Sequence, residues 1–427
     1  MKPVFGVVAD DLTGGMETAA MLVAQGVDCG FVTDPAALAQ EPERPAYVVA
    51  QKTRVIAADL AVAKMEAGAR ALLDRGARQL FFKYCATFDS TDQGNIGPVA
   101  DMLLRVAGAD RTAFCPGSPE LLRTVYSGHL FLGTQLVSES PKRHDPLTPM
   151  TDPDLVRVLQ RQSKTGVGLL HYPLLRAGAE ALEAAIARQM AEGKQFFIID
   201  SVTNDDLATI ARLTRDWKVM TGNATIVQYY PPLWKALGLV ATDAAVTSLP
   251  PVRGGGMVLS GSCADRTLEQ LAAFEAARPV LRLDLLSTPD AASAINEAMN
   301  WALPRLNEGP VAIATSASPE AVRAAQDRYG RDGAAALAEA ILGGLALALK
   351  QAGVRRFVVA GGETSGSIVE HLGVKRLRVG AYGGPGIGNA VTDGVEPMGF
   401  CLKSGKLGPV DLFLSALHSM EYPGGAA

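Results

Sequence analysis

The chain has 427 residues, of which 48% are hydrophobic and 20% are charged, and its formal net charge is −4. This composition is typical of a folded chain long enough for two or three domains, and it excludes a disordered protein. The small negative charge, with no basic block, argues against a dedicated nucleic-acid or membrane-surface binder.

Cysteine usage and the amino terminus predict a cytoplasmic enzyme. The five cysteines are scattered without a CxxC pair, which favours reduced thiols over a disulfide framework or a zinc site. Met1-Lys2-Pro3 leads directly into a predicted strand, so no signal peptide is expected. The most apolar stretch, residues 334–353, contains Glu339 and ends near Lys350, and we expect a buried helix there rather than a membrane span.

Short β-branched or aromatic runs alternate with alanine-rich helical runs along the chain. Strands are predicted at residues 3–9, 45–50, 79–84, 195–200, 256–261, 310–315 and 356–361. Helices are predicted at residues 15–26, 57–75, 176–192, 205–215, 266–277, 290–306 and 334–352. This alternation predicts an α/β fold whose largely parallel sheets are flanked by helices, with functional sites at the carboxyl ends of the strands.

A break in composition predicts two domains. The segment TSLPPVRGGGMV (247–258) combines a Pro-Pro pair with three glycines, as interdomain linkers often do. We place the boundary near residue 250, giving domains 1–250 and 251–427. Residues 250–256 could act as a hinge or be a plain connector.

Three predicted strand ends in the first domain are unusually polar. Cations and hydrogen-bonding groups at such ends suit a small polyhydroxy acid, whose carboxylate and hydroxyls they would bind. Each piece also has a simpler interpretation, because Asp11 could be a helix N-cap and Lys52-Thr53-Arg54 a solvated loop. The candidate residues are Asp10, Asp11, Lys52, Arg54, Lys83, Asp89, Ser90 and Asn95.

In the second domain, glycines and hydroxyl residues follow the predicted strands. Such turns suit a phosphate, since glycines admit it to the backbone and a following helix attracts the anion, although ordinary tight turns also use glycine. Neither GxxxxGK[ST] nor GxGxxG occurs. The candidate residues are Ser260, Ser262, Gly361, Gly362, Glu363, Thr364, Ser365, Gly383 and Gly405, the last in the motif LKSGKLG (402–408).

Several motifs, in order along nearly the whole chain, resemble those of the four-carbon acid sugar kinase family. They are ADDLTGGMETA, KYCATFDSTDQGNIGPV, GHLFLG, HDPLTPMTDPDL, LSGSCADRT, GGETSG and LKSGKLG. The forms KYC-x-TFDST and H-x-PLTPM look most like the 3-oxo-tetronate kinase branch.

The resemblance implies a two-domain enzyme with its active site in the cleft between an acid-sugar-binding domain (1–250) and a nucleotide-binding domain (251–427). The γ-phosphoryl group of ATP, with Mg²⁺, would pass to the terminal hydroxyl of 3-oxo-tetronate, giving 3-oxo-tetronate 4-phosphate. A kinase of threonate, erythronate or a branched acid is the main alternative. A non-catalytic sugar-acid binder and a nicotinamide dehydrogenase are more distant ones. A homodimer is left open.

Phosphoryl transfer depends mainly on positioning and charge neutralisation, which gives the candidate residues roles. Asp10 would bind the sugar hydroxyls, with either Asp10 or Asp89 as the general base. Asp11 would cap a helix, make a secondary contact or help hold Mg²⁺ through water. Arg54 and Lys83 would bind the substrate carboxylate, and the second-domain residues would hold the nucleotide.

Overall fold

The computed structural model describes residues 4–145, 147–241, 248–288 and 290–423. The chain divides into two compact units, Met1–Val246 and Thr247–Ala427. The first residue of the predicted linker, residue 247, lies outside the described residues.

The first unit is built on a parallel sheet with the strand order β2-β3-β1-β4-β11-β5-β10-β9. Strands β6, β7 and β8 form a separate antiparallel sheet. The strands are β1 (Phe5–Ala9), β2 (Cys29–Val32), β3 (Ala46–Ala50), β4 (Gln79–Lys83), β5 (Thr112–Cys115), β6 (Arg123–Tyr126), β7 (His129–Leu132), β8 (Gln135–Leu136), β9 (Gly166–Leu170), β10 (Lys194–Ile199) and β11 (Val219–Gly222).

The central strands of this sheet are buried on both faces, which explains their continuous apolar sequences. Their register also places the site. Ala9 at the end of β1 pairs with Ala50 on β3 and with Lys83 on β4, so the residues after these strands meet at one edge of the sheet.

Helices cover the sheet of the first unit. The first of them begins at Leu12 rather than at the predicted residue 15, because the Asp11 side chain caps it by accepting from the Gly14 amide. The helices are α1 (Leu12–Ala24), α2 (Ala58–Asp74), α3 (Ile96–Ala107), α4 (Leu155–Gln160), α5 (Tyr172–Ala177), α6 (Ala179–Ala191), α7 (Asn204–Thr214) and α8 (Tyr230–Ala236).

The second unit has a mixed sheet with the order β13-β14-β12-β15-β18-β17-β16. Its first five strands in that order run parallel, and β17 pairs antiparallel with both β18 and β16. The strands are β12 (Gly255–Ser260), β13 (Val280–Arg282), β14 (Val311–Ala314), β15 (Val354–Ala360), β16 (Arg376–Val379), β17 (Ile387–Val391) and β18 (Gly399–Lys403).

The predicted linker, residues 247–258, extends too far. Strand β12 already begins at Gly255, so the glycines that suggested a linker partly belong to the sheet. A Cβ at Gly256 would lie 3.2 Å from Leu417 and 3.3 Å from Pro310, so close packing accounts for glycine there.

The helices of the second unit include one that is long and strongly apolar. Helix α12 has 21 residues and is long and apolar enough to cross a membrane by length and composition alone, a test that buried core helices also pass. It packs against α10 and α13, and its buried residues include Leu342 and Leu345, as expected of a helix in an α/β layer. The helices are α9 (Asp265–Glu275), α10 (Ala291–Leu306), α11 (Pro319–Tyr329), α12 (Arg331–Gln351), α13 (Gly362–His371) and α14 (Leu412–Glu421).

Each unit buries its own apolar core between sheet and helices. In the first unit the core includes Val8, Phe82 and Met65, and in the second it includes Val258, Phe274 and Phe413. The predicted two-domain α/β class is confirmed, and the five cysteines are free thiols as expected.

Candidate active site

One arginine bridges the two carboxylates that follow β1. Arg54 Nε and Nη2 donate to the two carboxylate oxygens of Asp10, each at 2.7 Å, and Nη2 also lies 2.7 Å from Asp11 Oδ1. The backbone amides of Thr53 and Arg54 donate to the Asp10 carbonyl at 3.0 and 3.2 Å, which brings the loop after β3 against β1. The fork geometry suits a guanidinium that neutralises both acids.

Lys83 completes this group from the end of β4. Its Nζ lies 2.6 Å from Asp11 Oδ1 and 3.8 Å from Asp10 Oδ1, and its side chain is 6% exposed. A Cβ at Gly14 would lie only 1.4 Å from that Nζ, so glycine follows the acidic pair because Lys83 occupies the space. We call Asp10, Asp11, Arg54 and Lys83 the acidic-pair cluster.

Burial and charge act differently on the two acids. Burial raises the pKa of Asp10 above its ordinary value, although Arg54 and Lys83 oppose the shift. Burial also acts to raise the pKa of Asp11, but Arg54 and Lys83 outweigh it and hold that pKa below the ordinary range. Asp11 is therefore the firmly ionised partner and Asp10 the more basic one, the kind of separation found in acid–base sites.

Asn95 fixes the loop that carries Arg54. Its side-chain amide donates to the carbonyls of Thr53, Arg54 and Ile56 at 2.8, 3.2 and 3.3 Å, and the residue is buried. Lys52 lies half-buried on the same loop. The structure thus places Asn95 beside the cluster with its amide nitrogen engaged by backbone.

Asp89 belongs to a second charged group in the first unit. Lys142 Nζ lies 2.7 Å from Asp89 and 2.7 Å from Asp145, while the Thr87 hydroxyl donates to Asp89 at 2.5 Å. Phe88 beside it is buried with a φ of 51°, a left-handed conformation that is rare for aromatic residues and clusters at functional sites.

Lys142 is not among the residues predicted from the sequence. This residue lies two positions before His144, the first residue of the motif HDPLTPM, and 53 positions from Asp89. Burial opposes its charge, but Asp89 outweighs that effect and raises the pKa of Lys142. The signal that could have found it was a lysine beside a recognised motif.

Ser90 lies in a polar wall of a cavity. Gln162 donates to the Ser90 hydroxyl and to the Thr91 carbonyl at 2.8 Å each, and accepts from the Gly97 amide at 3.0 Å. The cavity beside them, of about 400 Å³, is lined by residues 90–93 and 149–152 and by Val158. It is large enough for a small sugar acid.

In the second unit, the strand register places the candidate nucleotide residues side by side. Ser260 on β12 pairs with Ala360 on β15, and Ala360 pairs with Lys403 on β18. The Ser260 hydroxyl lies 2.8 Å from that of Ser316, which follows β14. Thr315 and Ser316 were missed by the sequence analysis; the Thr315 hydroxyl is buried without a hydrogen-bond partner among the described residues.

The loop after β18 contacts the loop after β12. Thr267 Oγ1 donates to the Gly405 carbonyl at 2.7 Å and lies 3.2 Å from Ser262 Oγ. A Cβ at Gly405 would lie 2.2 Å from Ser262 Oγ, so this approach requires glycine.

The turn from β15 into α13 combines a glycine at positive φ with the amino terminus of a helix. Gly361 has a φ of 123°, which glycine adopts without strain, and α13 begins at the next residue, Gly362. Ser365 is buried and donates to the Gly361 carbonyl at 2.7 Å. Thr364 is also buried, next to Gly261, where a Cβ would lie 2.4 Å from its hydroxyl.

Two further candidates, Glu363 and Gly383, lie in the first turn of α13 and in the segment before β17. Glu363 lies half-buried in the first turn of α13. Gly383 lies between β16 and β17, and within the described part of the chain a Cβ there would meet only Asn389, so its contacts do not join it to the other candidates.

Two family models match the chain, the "Sugar-binding N-terminal domain" at residues 5–230 and the "Nucleotide-binding C-terminal domain" at residues 257–413. A curated 3-oxo-tetronate kinase of Burkholderia multivorans is 42% identical over 420 residues, which cover 98% of each chain. The chain belongs to the four-carbon acid sugar kinase family. The resemblance drawn from its motifs is thereby confirmed.

Other members of the family agree over the full length. A curated 3-oxo-tetronate kinase of Methylobacterium radiotolerans is 43% identical over 423 residues, covering 98% of this chain and all of the relative. A crystal structure of a Salmonella typhimurium LT2 protein, described as a tRNA synthase, is 32% identical with a TM-score of 0.82. That match covers 96% of this chain and 98% of the other.

A directly bound divalent cation does not fit the acidic pair of this family member. Arg54 and Lys83 already occupy the positions around Asp10 and Asp11 that such an ion would take. Within residues 4–145, 147–241, 248–288 and 290–423, no group of three or more His, Cys, Asp and Glu side chains is arranged to hold a metal.

Proposed function

We propose that this chain is an ATP-dependent kinase that phosphorylates the terminal hydroxyl of 3-oxo-tetronate, forming 3-oxo-tetronate 4-phosphate and ADP. The observation that carries the proposal is the acidic-pair cluster at the strand ends of a unit that matches a sugar-binding domain. Relatives named 3-oxo-tetronate kinase, 40–43% identical along almost the whole chain, support the choice of acid.

Asp10 is the proposed general base. Its raised pKa makes it the better proton acceptor of the pair, and Arg54 holds both of its oxygens in a fixed direction. It would take the proton of the terminal hydroxyl as the oxygen attacks the γ-phosphorus and ADP leaves. Asp11 would remain charged, capping α1 and holding Lys83.

The proposed contacts to the acid sugar come from the same edge of the sheet. Arg54 uses Nε and Nη2 on the aspartates, and its Nη1, together with Lys52 or Lys83, would meet the substrate carboxylate. Asp89 and Ser90, beside the 400 Å³ cavity, would bind hydroxyls. Asn95 would act by holding the Arg54 loop.

The proposed nucleotide contacts lie in the second unit, which we propose extends from residue 251. Backbone amides at the start of α13 and the hydroxyls of Ser260 and Ser262 would bind the phosphates, and Gly361 and Gly405 would let them approach. Mg²⁺, a usual companion of ATP, would be held by the phosphates, and no step is assigned to it. The free thiols and the need for ATP favour a cytoplasmic location.

The test is an ADP-release assay with ATP and a panel of 3-oxo-tetronate, threonate, erythronate and branched four-carbon acids. We expect 3-oxo-tetronate to give the highest kcat/KM. A higher value for another acid would reassign the substrate within the family. ADP release with none of them, although an acid binds, would favour the non-catalytic binder and overturn the proposal.

A further inference from the structure

A buried lysine in the second unit has only neutral partners. Lys403, the last residue of β18, is 0% exposed. Its Nζ donates to Gln270 Oε1 at 2.7 Å, Thr267 Oγ1 at 2.9 Å and the Gly405 carbonyl at 3.1 Å. Among the described residues, no carboxylate forms an ion pair with it. A buried ammonium without an anion is costly, so its presence calls for an explanation.

The partners of Lys403 connect it to the proposed nucleotide contacts. Thr267 links it to Ser262, and Gly405 packs against Ser262. The Gly361 amide donates to the Lys403 carbonyl at 3.0 Å, so the turn into α13 is attached to the same residue. Gln270 in turn donates to the Pro409 carbonyl at 2.7 Å and holds the far end of the β18 loop.

We infer that Lys403 is a positioning residue for the polyphosphate of ATP, an inference that rests on the proposed function. Its ammonium holds the Gly405 loop and Thr267 in place, and its positive charge, which no described carboxylate neutralises, attracts the phosphates from beneath that loop. The nucleotide then provides the anion that the free protein lacks, and binding is strongest while the lysine is charged.

The charge on Lys403 is lost as the pH rises through about 8. Burial lowers its pKa to about 8, and the charge of Arg266 on α9 acts in the same direction. Cys401, on the same strand, has a pKa raised to about 12 by burial and stays a neutral thiol. Arg266 pairs with Glu269 at 2.9 Å. Negatively charged phosphates favour the charged form of Lys403, so ATP binding raises its pKa. Above about pH 8 the protein therefore takes up protons when ATP binds.

Calorimetric titration of the full chain with ATP, without acid sugar, tests the inference. From about pH 7 to about pH 9.5 we expect affinity to fall roughly tenfold or more. Near pH 8.5, titrations in two buffers of different ionisation enthalpy should show net proton uptake. Lys403→Met should bind ATP roughly tenfold more weakly at about pH 7, with neither the pH dependence nor the uptake.

Lys350→Met is the matched control, because Lys350 lies at the end of α12 and contacts the Leu372 carbonyl instead. It should bind ATP as the unaltered chain does. If the unaltered chain binds ATP with an affinity that does not change with pH, and without proton uptake, the inference is overturned. The kinase proposal would still stand. No ATP binding at any pH would overturn both. The measurements on the unaltered chain decide the matter even if Lys403→Met does not fold.

Discussion

The two units of the molecule treat charge in opposite ways. In the first, Asp10 and Asp11 are neutralised by Arg54 and Lys83 before any ligand arrives. In the second, glycine turns and hydroxyls surround Lys403, whose partners are all neutral. The difference matches the proposed ligands, since an acid sugar must be oriented through several hydroxyls, whereas ATP brings enough negative charge to require a positive site.

Replacing the proposed base should have the largest effect. Asp10→Asn keeps the shape but removes the proton acceptor, and we expect kcat at saturating ATP and acid to fall by about 10²–10⁴-fold. Asp89→Asn should mainly raise KM for the acid. Asp110→Asn, at an exposed carboxylate in the same unit, serves as a control and should be unchanged. Near-normal turnover of both Asp10→Asn and Asp89→Asn would place the base elsewhere.

The space around Lys83 can be tested without removing a charge. Gly14→Ala places a Cβ 1.4 Å from the present position of Lys83 Nζ, so the ammonium must leave Asp11. We expect kcat/KM for the acid to fall by roughly 10- to 100-fold, because one charge-assisted hydrogen bond is lost. In Gly333→Ala the added Cβ would lie 3.5 Å from Tyr329, an ordinary van der Waals contact, and this control should keep full activity. Steady-state kinetics check this, and equal kcat/KM values for Gly14→Ala and Gly333→Ala would contradict the prediction.

Breaking the Asp89–Lys142 ion pair should weaken binding of the acid sugar without affecting binding of ATP. Lys142→Met leaves Asp89 and Asp145 without their shared cation, and KM for the acid should rise roughly tenfold. KM for ATP should not change, because the carboxylates that pair with Lys142, Asp89 and Asp145, both belong to the first unit. Lys164→Met, at an exposed lysine, is the control. An equal rise in KM for the acid and in KM for ATP would contradict the difference in charge between the two units.

The smallest effect is expected from releasing the Arg54 loop. Asn95→Ala removes the amide that donates to three backbone carbonyls, and we expect a several-fold loss of kcat/KM and about 1–3 kcal/mol of stability. Saturating acid is not expected to restore the full rate, because Arg54 also orients Asp10 and a displaced Arg54 lowers kcat. Thermal unfolding and acid-dependence measurements together check this, with Asn300→Ala on the exposed face of α10 as the control.

Much of this arrangement could be predicted because it depends on strand ends. The apolar runs before Asp10 and at Lys83 are buried parallel strands, and parallel strands end at one edge, so their polar neighbours meet. The sequence did not predict the short strands β5 and β11 or the antiparallel region β16–β18. Strands of about four residues are too short to show a clear hydrophobic periodicity.

The partners of the predicted residues were harder to foresee. Lys142 lies in a short 3-10 helix, residues 141–144, and Gln162 follows α4, both far along the chain from Asp89 and Ser90. No local pattern reveals which carboxylate or hydroxyl they contact. Asn95 was proposed as a contact to hydroxyls, but its amide nitrogen is engaged by three carbonyls, a role that depends on the tertiary path of another loop. Its proposed place in the substrate site remains a prediction.

The dependence of Ser90 on Gln162, 72 residues later, has a consequence for biosynthesis. While a ribosome makes the chain, strands β1, β3 and β4 emerge well before α4, so the cavity beside Ser90 lacks a wall during that interval. A nascent chain stalled before Gln162 would therefore expose Ser90, which is buried in the complete fold, to proteases or chaperones.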